Sequence, residues 1–164
     1  MALEKIVVGA IQALIGGLLV FPAVLFIHAA GQAPVIEVAS WPLLILVMVS
    51  GSILASAGAL FLGTVTDPDK IQVLFALVLL PMTMLGGVYY PWAALSNIPW
   101  LQVLVLANPM VYVSEGLRAT LTAQLPHMPT PAFLLVLLIG AVGLSFLGST
   151  RWSVGRGEFR ELIR

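Results

Sequence analysis

The stretch "LLPMTMLGGVYYPWAALSNIPWLQVLVLANPMVYVSEGLRATL", residues 79–121, decides how often this chain crosses a bilayer. It begins like a membrane helix, reaches two glycines at Gly86 and Gly87, and then carries no charge from Pro91 until Glu115. Glycine permits a sharp bend and proline interrupts a helix, so one continuous helix over the whole stretch is excluded. The chain crosses either once or twice here.

The composition is that of a membrane protein. Of the 164 residues, 60% are hydrophobic and only 9% are charged, with a formal net charge of zero. A water-soluble domain carries about a quarter of its residues as charged side chains. The neutral balance does not indicate a nucleic-acid partner. The absence of cysteine excludes disulfides, thiolate metal sites and thiol catalysis. These observations predict an all-α polytopic membrane helix bundle.

Four apolar segments are long enough to cross a membrane, because about 30 Å of hydrocarbon requires roughly 20 helical residues. They lie at about residues 6–27, 41–65, 71–90 and 131–150. The first could also be a signal peptide, since Lys5 precedes it. Its apolar run is longer than the roughly 7–15 residues of a signal core, and it therefore predicts a retained membrane anchor.

The positive charges distinguish four spans from five. Four spans place Lys5, Lys70 and the arginines of a tail at 151–164 in the cytoplasm, and they leave only Arg118 outside. A fifth span would bury Arg118 in the bilayer and move the tail outside. We therefore predict four spans with both termini cytoplasmic, and an extracytoplasmic re-entrant or interfacial hairpin at 91–125.

A short amphipathic helix is predicted after Pro109, lying flat at the outer surface. Glu115, Arg118 and Thr122 gather on one face, beside an apolar stripe. The stripe consists of Met110, Val113, Leu117, Leu121 and Leu125. Two interpretations of the charged residues are open. They form an ordinary i,i+3 pair on a wet helix face, or they are a charged gate or substrate contact at the outer mouth.

Two further patterns predict local structure. In the turn "TVTDPDK", Asp67 is placed to cap a helix, with Pro68 at its first position and Asp69 in its first turn. General acid–base catalysis by the two aspartates is an alternative, but helix capping already explains their presence. The second span carries small residues at every fourth position, which lets another helix approach closely. This predicted packing face consists of Gly51, Ala55, Ala59 and Gly63.

Motifs for catalysis or metal binding are missing from the sequence. The only lysines, Lys5 and Lys70, do not follow a glycine, so no phosphate-binding loop of the G-x-x-x-x-G-K-[ST] type exists. His28 and His127 lie far apart and are interpreted as interfacial residues. The predicted spans have no ionisable side chain near their centres, which disfavours ion-coupled transport. We therefore expect this chain to be no enzyme and to hold no metal or cofactor.

The opening stretch resembles the end of the permease subunit of ABC-2 type exporters, the group of nodulation-factor, polysaccharide and daunorubicin-type export permeases. Several elements occur in the same order: a span with a proline, a Gly-Gly turn before a Tyr-Pro pair, then "IPWLQ", "NP" and "EGLR". The resemblance covers about residues 1–150. It implies that the chain corresponds to the later part of such a permease and lacks the family's first two spans.

The resemblance implies an exporter in the inner (cytoplasmic) membrane, surrounded by lipid and built from two permease subunits, as a homodimer or heterodimer. Two separate ABC ATPase subunits would hold ATP and Mg²⁺ and drive an amphipathic, lipid-linked, glycan or drug-like substrate outward. A truncated, non-transporting structural or regulatory membrane subunit is the first alternative. A membrane-embedded enzyme is the second, and it would require reactive groups that face one cavity.

The same resemblance assigns candidate residues to the transport path and hairpin: Pro81, Gly86, Gly87, Tyr90, Pro91, Pro99, Trp100, Asn108, Pro109, Glu115 and Arg118. The predicted cytoplasmic turn, with Asp67, Asp69 and Lys70, is a candidate contact for the ATPase.

Overall fold

The computed structural model describes residues 1–29 and 38–162, and this part of the chain is helical with no β-strand. Its α-helices are α1 (Ala2–Ala29), α2 (Trp41–Val65), α3 (Ile71–Leu74), α4 (Leu80–Met84), α5 (Pro99–Leu104), α6 (Pro109–Leu121) and α7 (Thr130–Leu162). Short 3-10 helices at Pro68–Lys70, Trp92–Asn97 and Val105–Ala107 and a π-helix at Phe75–Leu79 lie between them. The predicted all-α class is confirmed.

Three helices of the described chain are long and apolar enough to cross a membrane. Their apolar segments are Ala2–Val20, Trp41–Val65 and Thr130–Trp152. They match three of the four predicted spans. Large apolar side chains remain exposed along all three, including Ile15, Ile45 and Ile139. Soluble proteins rarely expose such continuous apolar surface, so these helices are those of an integral membrane protein.

The third predicted span, 71–90, is shorter and less regular than expected. Its helical backbone ends at Met84, and the π-helix Phe75–Leu79 interrupts it. Because Pro81 lacks an amide proton and its ring displaces the carbonyl four residues earlier, a widened turn directly before it is the expected local response. Residues 71–84 rise only about 21 Å at about 1.5 Å each, less than the roughly 30 Å of a hydrocarbon core.

Helices α1 and α2 are antiparallel. Gly9 of α1 faces Ser56 of α2, whereas Gly17, farther along α1, faces the earlier residue Met48. The Ser56 hydroxyl donates a hydrogen bond of 2.9 Å to the Ile6 carbonyl oxygen. A side chain larger than hydrogen at Gly9 would overlap Ser56. This glycine therefore permits the close approach that the hydrogen bond between the two helices requires.

Helix α7 runs parallel to α2. Leu54 contacts Gly140, Gly58 contacts Leu144, and Leu60 contacts Gly148, so residue numbers increase together along the two helices. Parallel neighbours start at the same end of a bundle. The chain between them, residues 66–129, must therefore return from the end of α2 to the end where α2 begins.

The two ends of the bundle can be told apart by their contacts. At one end, called the Lys5 end, the Lys5 ammonium nitrogen lies 5.1 Å from the centre of the Trp152 ring. The end of α2 lies on this side, because α2 is antiparallel to α1. At the opposite end, called the Thr120 end, the Ala39 amide donates to the Thr120 carbonyl oxygen at 2.9 Å.

Helix α6 lies lengthwise along the first half of α2. A Cβ on Gly51 would meet Val113 at 3.3 Å, and one on Gly116 would meet Val47 at 2.8 Å. With Thr120 beside Ala39, these contacts make α6 antiparallel to α2. The prediction that this helix lies flat at the outer surface is therefore wrong. Its start at Pro109 is confirmed.

The buried core joins α2, α6 and α7. Val47, Val111, Phe133 and Leu137 are at most 1% exposed and form its centre. Within the described chain, the predicted small-residue face packs on another helix only at Gly51, while its other three members are exposed. The core contacts of α2 come instead from a neighbouring face: Leu44, Val47, Ser50, Gly51, Leu54 and Ala57.

Candidate functional site

Residues 85–108 link α4 to α6 and are called the hairpin below. They turn at Gly86 and Gly87, which are both buried. Gly87 has a φ of 70°, a left-handed conformation that glycine adopts without steric cost. A Cβ on Gly86 would lie 2.9 Å from the Met82 carbonyl oxygen and 3.0 Å from the Met110 Cβ. The turn therefore requires glycine at one position for its backbone and at the other for space.

Asn108 joins the helices on either side of this hairpin, α4 and α6. Its Oδ1 accepts a hydrogen bond of 3.0 Å from the Met110 amide and so caps the start of α6, with Pro109 at the first helical position. Its Nδ2 donates to the Met82 carbonyl oxygen at 2.6 Å. One amide side chain thus starts α6 and fastens it to α4.

Ser114 and Tyr112 fasten α6 to the hairpin at two more points. The Ser114 hydroxyl lies within hydrogen-bonding distance of the carbonyl oxygens of Gly86 and Met110, and it can donate its single proton to either. The Tyr112 hydroxyl donates to the Leu106 carbonyl oxygen at 2.7 Å.

Trp92 and Gln102 close the outer part of the hairpin by a reciprocal pair of hydrogen bonds. The Trp92 indole Nε1 donates to the Gln102 carbonyl oxygen at 3.1 Å, and the Gln102 Nε2 donates to the Trp92 carbonyl oxygen at 3.3 Å. Each residue satisfies both a side-chain group and a backbone group of the other.

Glu115 is the centre of the site, and its side chain has no solvent exposure. Its Oε1 accepts from the Trp92 amide at 2.9 Å and from Arg118 Nη1. Its Oε2 accepts from the Met128 amide at 2.7 Å. Arg118 Nη2 donates to the Gly87 carbonyl oxygen at 2.8 Å.

The interpretation of Glu115 and Arg118 as a pair on a wet helix face is therefore wrong. The Arg118 side chain is only 14% exposed. A buried charge is tolerated only with a partner and hydrogen bonds, and here it has both.

A known protein family matches most of this chain. The sequence profile of the family described as "ABC-2 type transporter" matches residues 1–122, about three quarters of the chain. The chain belongs to the ABC-2 type transporter family. The resemblance inferred from the hairpin motifs is therefore confirmed. No solved structure gives a significant match.

Curated relatives of this ABC-2 family member include the "Inner membrane transport permease YadH" of Escherichia coli strain K12, of Escherichia coli O157:H7 and of Shigella flexneri. Each is 36% identical over 83 residues, which is 50% of this chain. The matched region covers 32% of each relative, so the chain spans about a third of their length.

The structure brings together five of the eleven candidate residues of this ABC-2 family member. Gly86, Gly87, Asn108, Glu115 and Arg118 form one hydrogen-bonded group, directly or through backbone atoms. Half-buried Tyr90 packs against the core. The half-buried Pro91 precedes the 3-10 helix at 92–97, and Pro109 begins α6. The exposed Pro99 and Trp100 begin α5 outside this group, and Pro81 is exposed on α4.

The turn at 66–70, which the sequence predicts to be cytoplasmic, is separate from the hairpin. The Asp67 carboxylate pairs with the Lys70 ammonium at 2.8 Å, and both side chains are about 70% exposed. The helical segment begins at Pro68 as predicted, but as a 3-10 turn.

The His127 Nδ1 lies 3.0 Å from the Met128 carbonyl oxygen, whereas the side chain of His28 lies outside the described residues. The part of the chain that is described contains no cluster of three or more His, Asp or Glu residues suited to a metal.

The contacts of the site that the sequence did not predict include those of the Gln102 side chain, the Ser114 hydroxyl and the Met128 amide. Ser114 offered a local signal, because serine in a helix commonly bonds the carbonyl four residues earlier. The other two contacts join backbone groups to distant side chains. A single sequence contains no signal for them.

Proposed function

We propose that this chain is a membrane-embedded permease subunit of an ABC-2 type exporter and forms part of the path for an amphipathic, lipid-linked, glycan or drug-like substrate. The observation that carries the proposal is the family match over residues 1–122, which includes the whole glycine hairpin and α6. Relatives named as inner membrane transport permeases support the same location, the inner membrane.

We propose that the chain crosses the bilayer four times. The parallel arrangement of α2 and α7 supports this, because residues 66–129 must return between the two ends of the bundle. In this proposal, residues 68–84 run from the Lys5 end of the bundle toward the Thr120 end. The hairpin then inserts into the membrane as a re-entrant element. Helix α6 brings the chain back to the Thr120 end beside the first half of α2. Irregular backbone at this depth is tolerated because its polar groups are bonded within the protein.

The Lys5 end is proposed to face the cytoplasm, which places both termini there. Lys5 and Arg151 lie at this end, and Lys70 lies five residues beyond the end of α2. Clustering of basic residues on one side follows the positive-inside rule. The exposed turn with Asp67, Asp69 and Lys70 is then available to a cytoplasmic ATPase.

A separate ATPase is proposed as the energy source, with ATP and Mg²⁺ held in that partner. The buried charges of the site support this division of labour. Glu115 is buried and its carboxylate accepts hydrogen bonds from Trp92, Arg118 and Met128, which is typical of a structural group and does not favour a coupling-ion site. A second permease subunit completes the proposed assembly, with the exposed apolar faces of α1 and α2 meeting lipid or that subunit.

Affinity purification tests this function. The tagged chain is expressed in its native host, the membranes are solubilised in mild detergent, and co-purifying proteins are identified by mass spectrometry. We expect an ABC ATPase in near-stoichiometric amount and vanadate-sensitive ATP hydrolysis by the isolated complex. A chain that inserts in the membrane but recruits no ATPase would instead be a structural or regulatory subunit.

The proposed contact is tested in the same preparation. D67A/K70A removes the charges of the exposed turn, and we expect it to lower the recovered ATPase. E4Q, an exposed change at the same end of the bundle, is the matched control and should leave the recovery unchanged. Equal recovery with all three proteins would remove the turn from the interface.

A further inference from the structure

Glu115 connects three segments that are far apart in sequence. Its carboxylate is bound to the amide of Trp92 at the start of a 3-10 helix, to the amide of Met128 before α7, and to Arg118 in its own helix. Arg118 extends the network to the Gly87 carbonyl oxygen. The hairpin turn, the hairpin arm and the entrance to α7 are thus joined through one buried anion.

The position of the two amides explains why they need this carboxylate. Trp92 begins a 3-10 helix, and the first amides of a helix have no partner within it. Met128 is 4% exposed and precedes α7 in an irregular segment. Buried amides without a partner are costly, and a carboxylate is a stronger acceptor than a carbonyl group.

We propose that Glu115 is a positioning residue that holds the hairpin and the start of α7 in one arrangement, and that it does not contact the substrate. The Glu115 side chain is buried, and each of its carboxylate oxygens accepts a hydrogen bond from this chain. It is therefore not exposed on the surface of a transport path in this conformation. A movement of α7 away from the hairpin must break the bond to the Met128 amide or carry the hairpin along. The proposal does not depend on transport, since it concerns contacts within this chain.

Amide hydrogen exchange tests the proposal without an identified substrate. The chain contains four Trp and six Met residues, so selective ¹⁵N labelling of these two types gives few signals in a detergent-solubilised sample. In the wild-type protein we expect the Trp92 and Met128 amides to exchange about 10- to 100-fold more slowly than the amide of the exposed Trp100. Exchange of both amides as fast as that of Trp100 would overturn the proposal, whatever the variants do.

The E115Q variant tests the carboxylate itself. It preserves the shape but removes the charge and replaces one of the two acceptor oxygens by an NH₂ group. The backbone amide that faces this group should exchange roughly tenfold or more faster, and the other amide, which keeps a weaker neutral acceptor, should accelerate less. The amide of Met48 within α2 should keep its wild-type rate, which separates local release from general destabilisation. The same change at the exposed Glu4, E4Q, should alter none of these rates.

One result with E115Q would overturn the bridge. Unchanged rates at both would show that other groups hold the hairpin. R118K gives a second check, because the Met128 amide binds Oε2 whereas Arg118 binds Oε1. R118K should therefore leave the Met128 amide protected, and loss of that protection would contradict the geometry.

Discussion

At the residue scale, Gly87 shows how one backbone conformation determines a turn. Its φ of 70° is strained for other residues, and the carbonyl oxygen that it presents accepts a bond from Arg118. A Cβ there would meet the Ser114 Oγ at 3.4 Å, which is ordinary contact, so alanine would be strained mainly in its backbone. A longer side chain would also push against α6.

G87L should therefore destabilise the protein by about 1–3 kcal/mol while leaving membrane insertion intact. Thermal unfolding of the detergent-solubilised protein, followed by tryptophan fluorescence, measures the change. G143L is the matched control, because a Cβ on Gly143 would have no neighbour within 4 Å. A melting temperature for G87L equal to that of G143L would mean that the turn tolerates a side chain.

At the element scale, α6 docks against α2 and α7 through a small residue. A Cβ on Gly116 would lie 2.8 Å from one methyl group of Val47 and 3.3 Å from the Phe133 ring. These distances are too short for an unaltered core, because protein interiors are close-packed. The helix can approach its neighbours only with glycine at this position.

G116A should destabilise the protein by about 1–3 kcal/mol through overpacking. V47A removes the methyl groups that the new side chain would meet, so the double variant G116A/V47A should be less destabilised than the sum of the two single changes. Chemical denaturation of the four proteins measures this coupling. G63A, at an exposed helical glycine with no neighbour within 4 Å, should be neutral or stabilising. Strict additivity would argue against this contact.

At the scale of the whole molecule, the direction of the helices determines the proposed topology. Three described helices have the length of a span, yet α2 and α7 run parallel, so the intervening chain must return between the ends of the bundle. With only three crossings, the end of α7 would lie on the opposite side of the membrane from the start of α1. The contact between Lys5 and Trp152 favours the same side.

Cysteine labelling tests this topology, and the absence of native cysteine makes each variant a single-cysteine protein. S96C and Q124C, at exposed positions of the hairpin and of the segment after α6, should react with a membrane-impermeant maleimide in intact cells. S153C, in the tail, should react only after the cells are permeabilised. Reaction of S153C in intact cells would exclude four crossings.

The sequence by itself determined the helical class, the three long spans and the points where the helices break. These features are local: the length of an apolar run, the missing amide of proline and the free backbone of glycine act on their own neighbours. The bounds 41–65 of α2 and the start of α6 at Pro109 were therefore predictable. So was the turn at Gly86 and Gly87.

Only the tertiary structure decided the burial of Glu115 and the direction of α6. The sequence was consistent with a solvent-exposed Glu115, because it does not show the distant partners of the carboxylate, the amides of Trp92 and Met128. Likewise, the small-residue pattern of α2 could not show that the core face lies elsewhere on the helix. Both outcomes depend on contacts between residues far apart in the chain. The free energy of burying a charge is determined by such contacts, because only the folded arrangement supplies its partners.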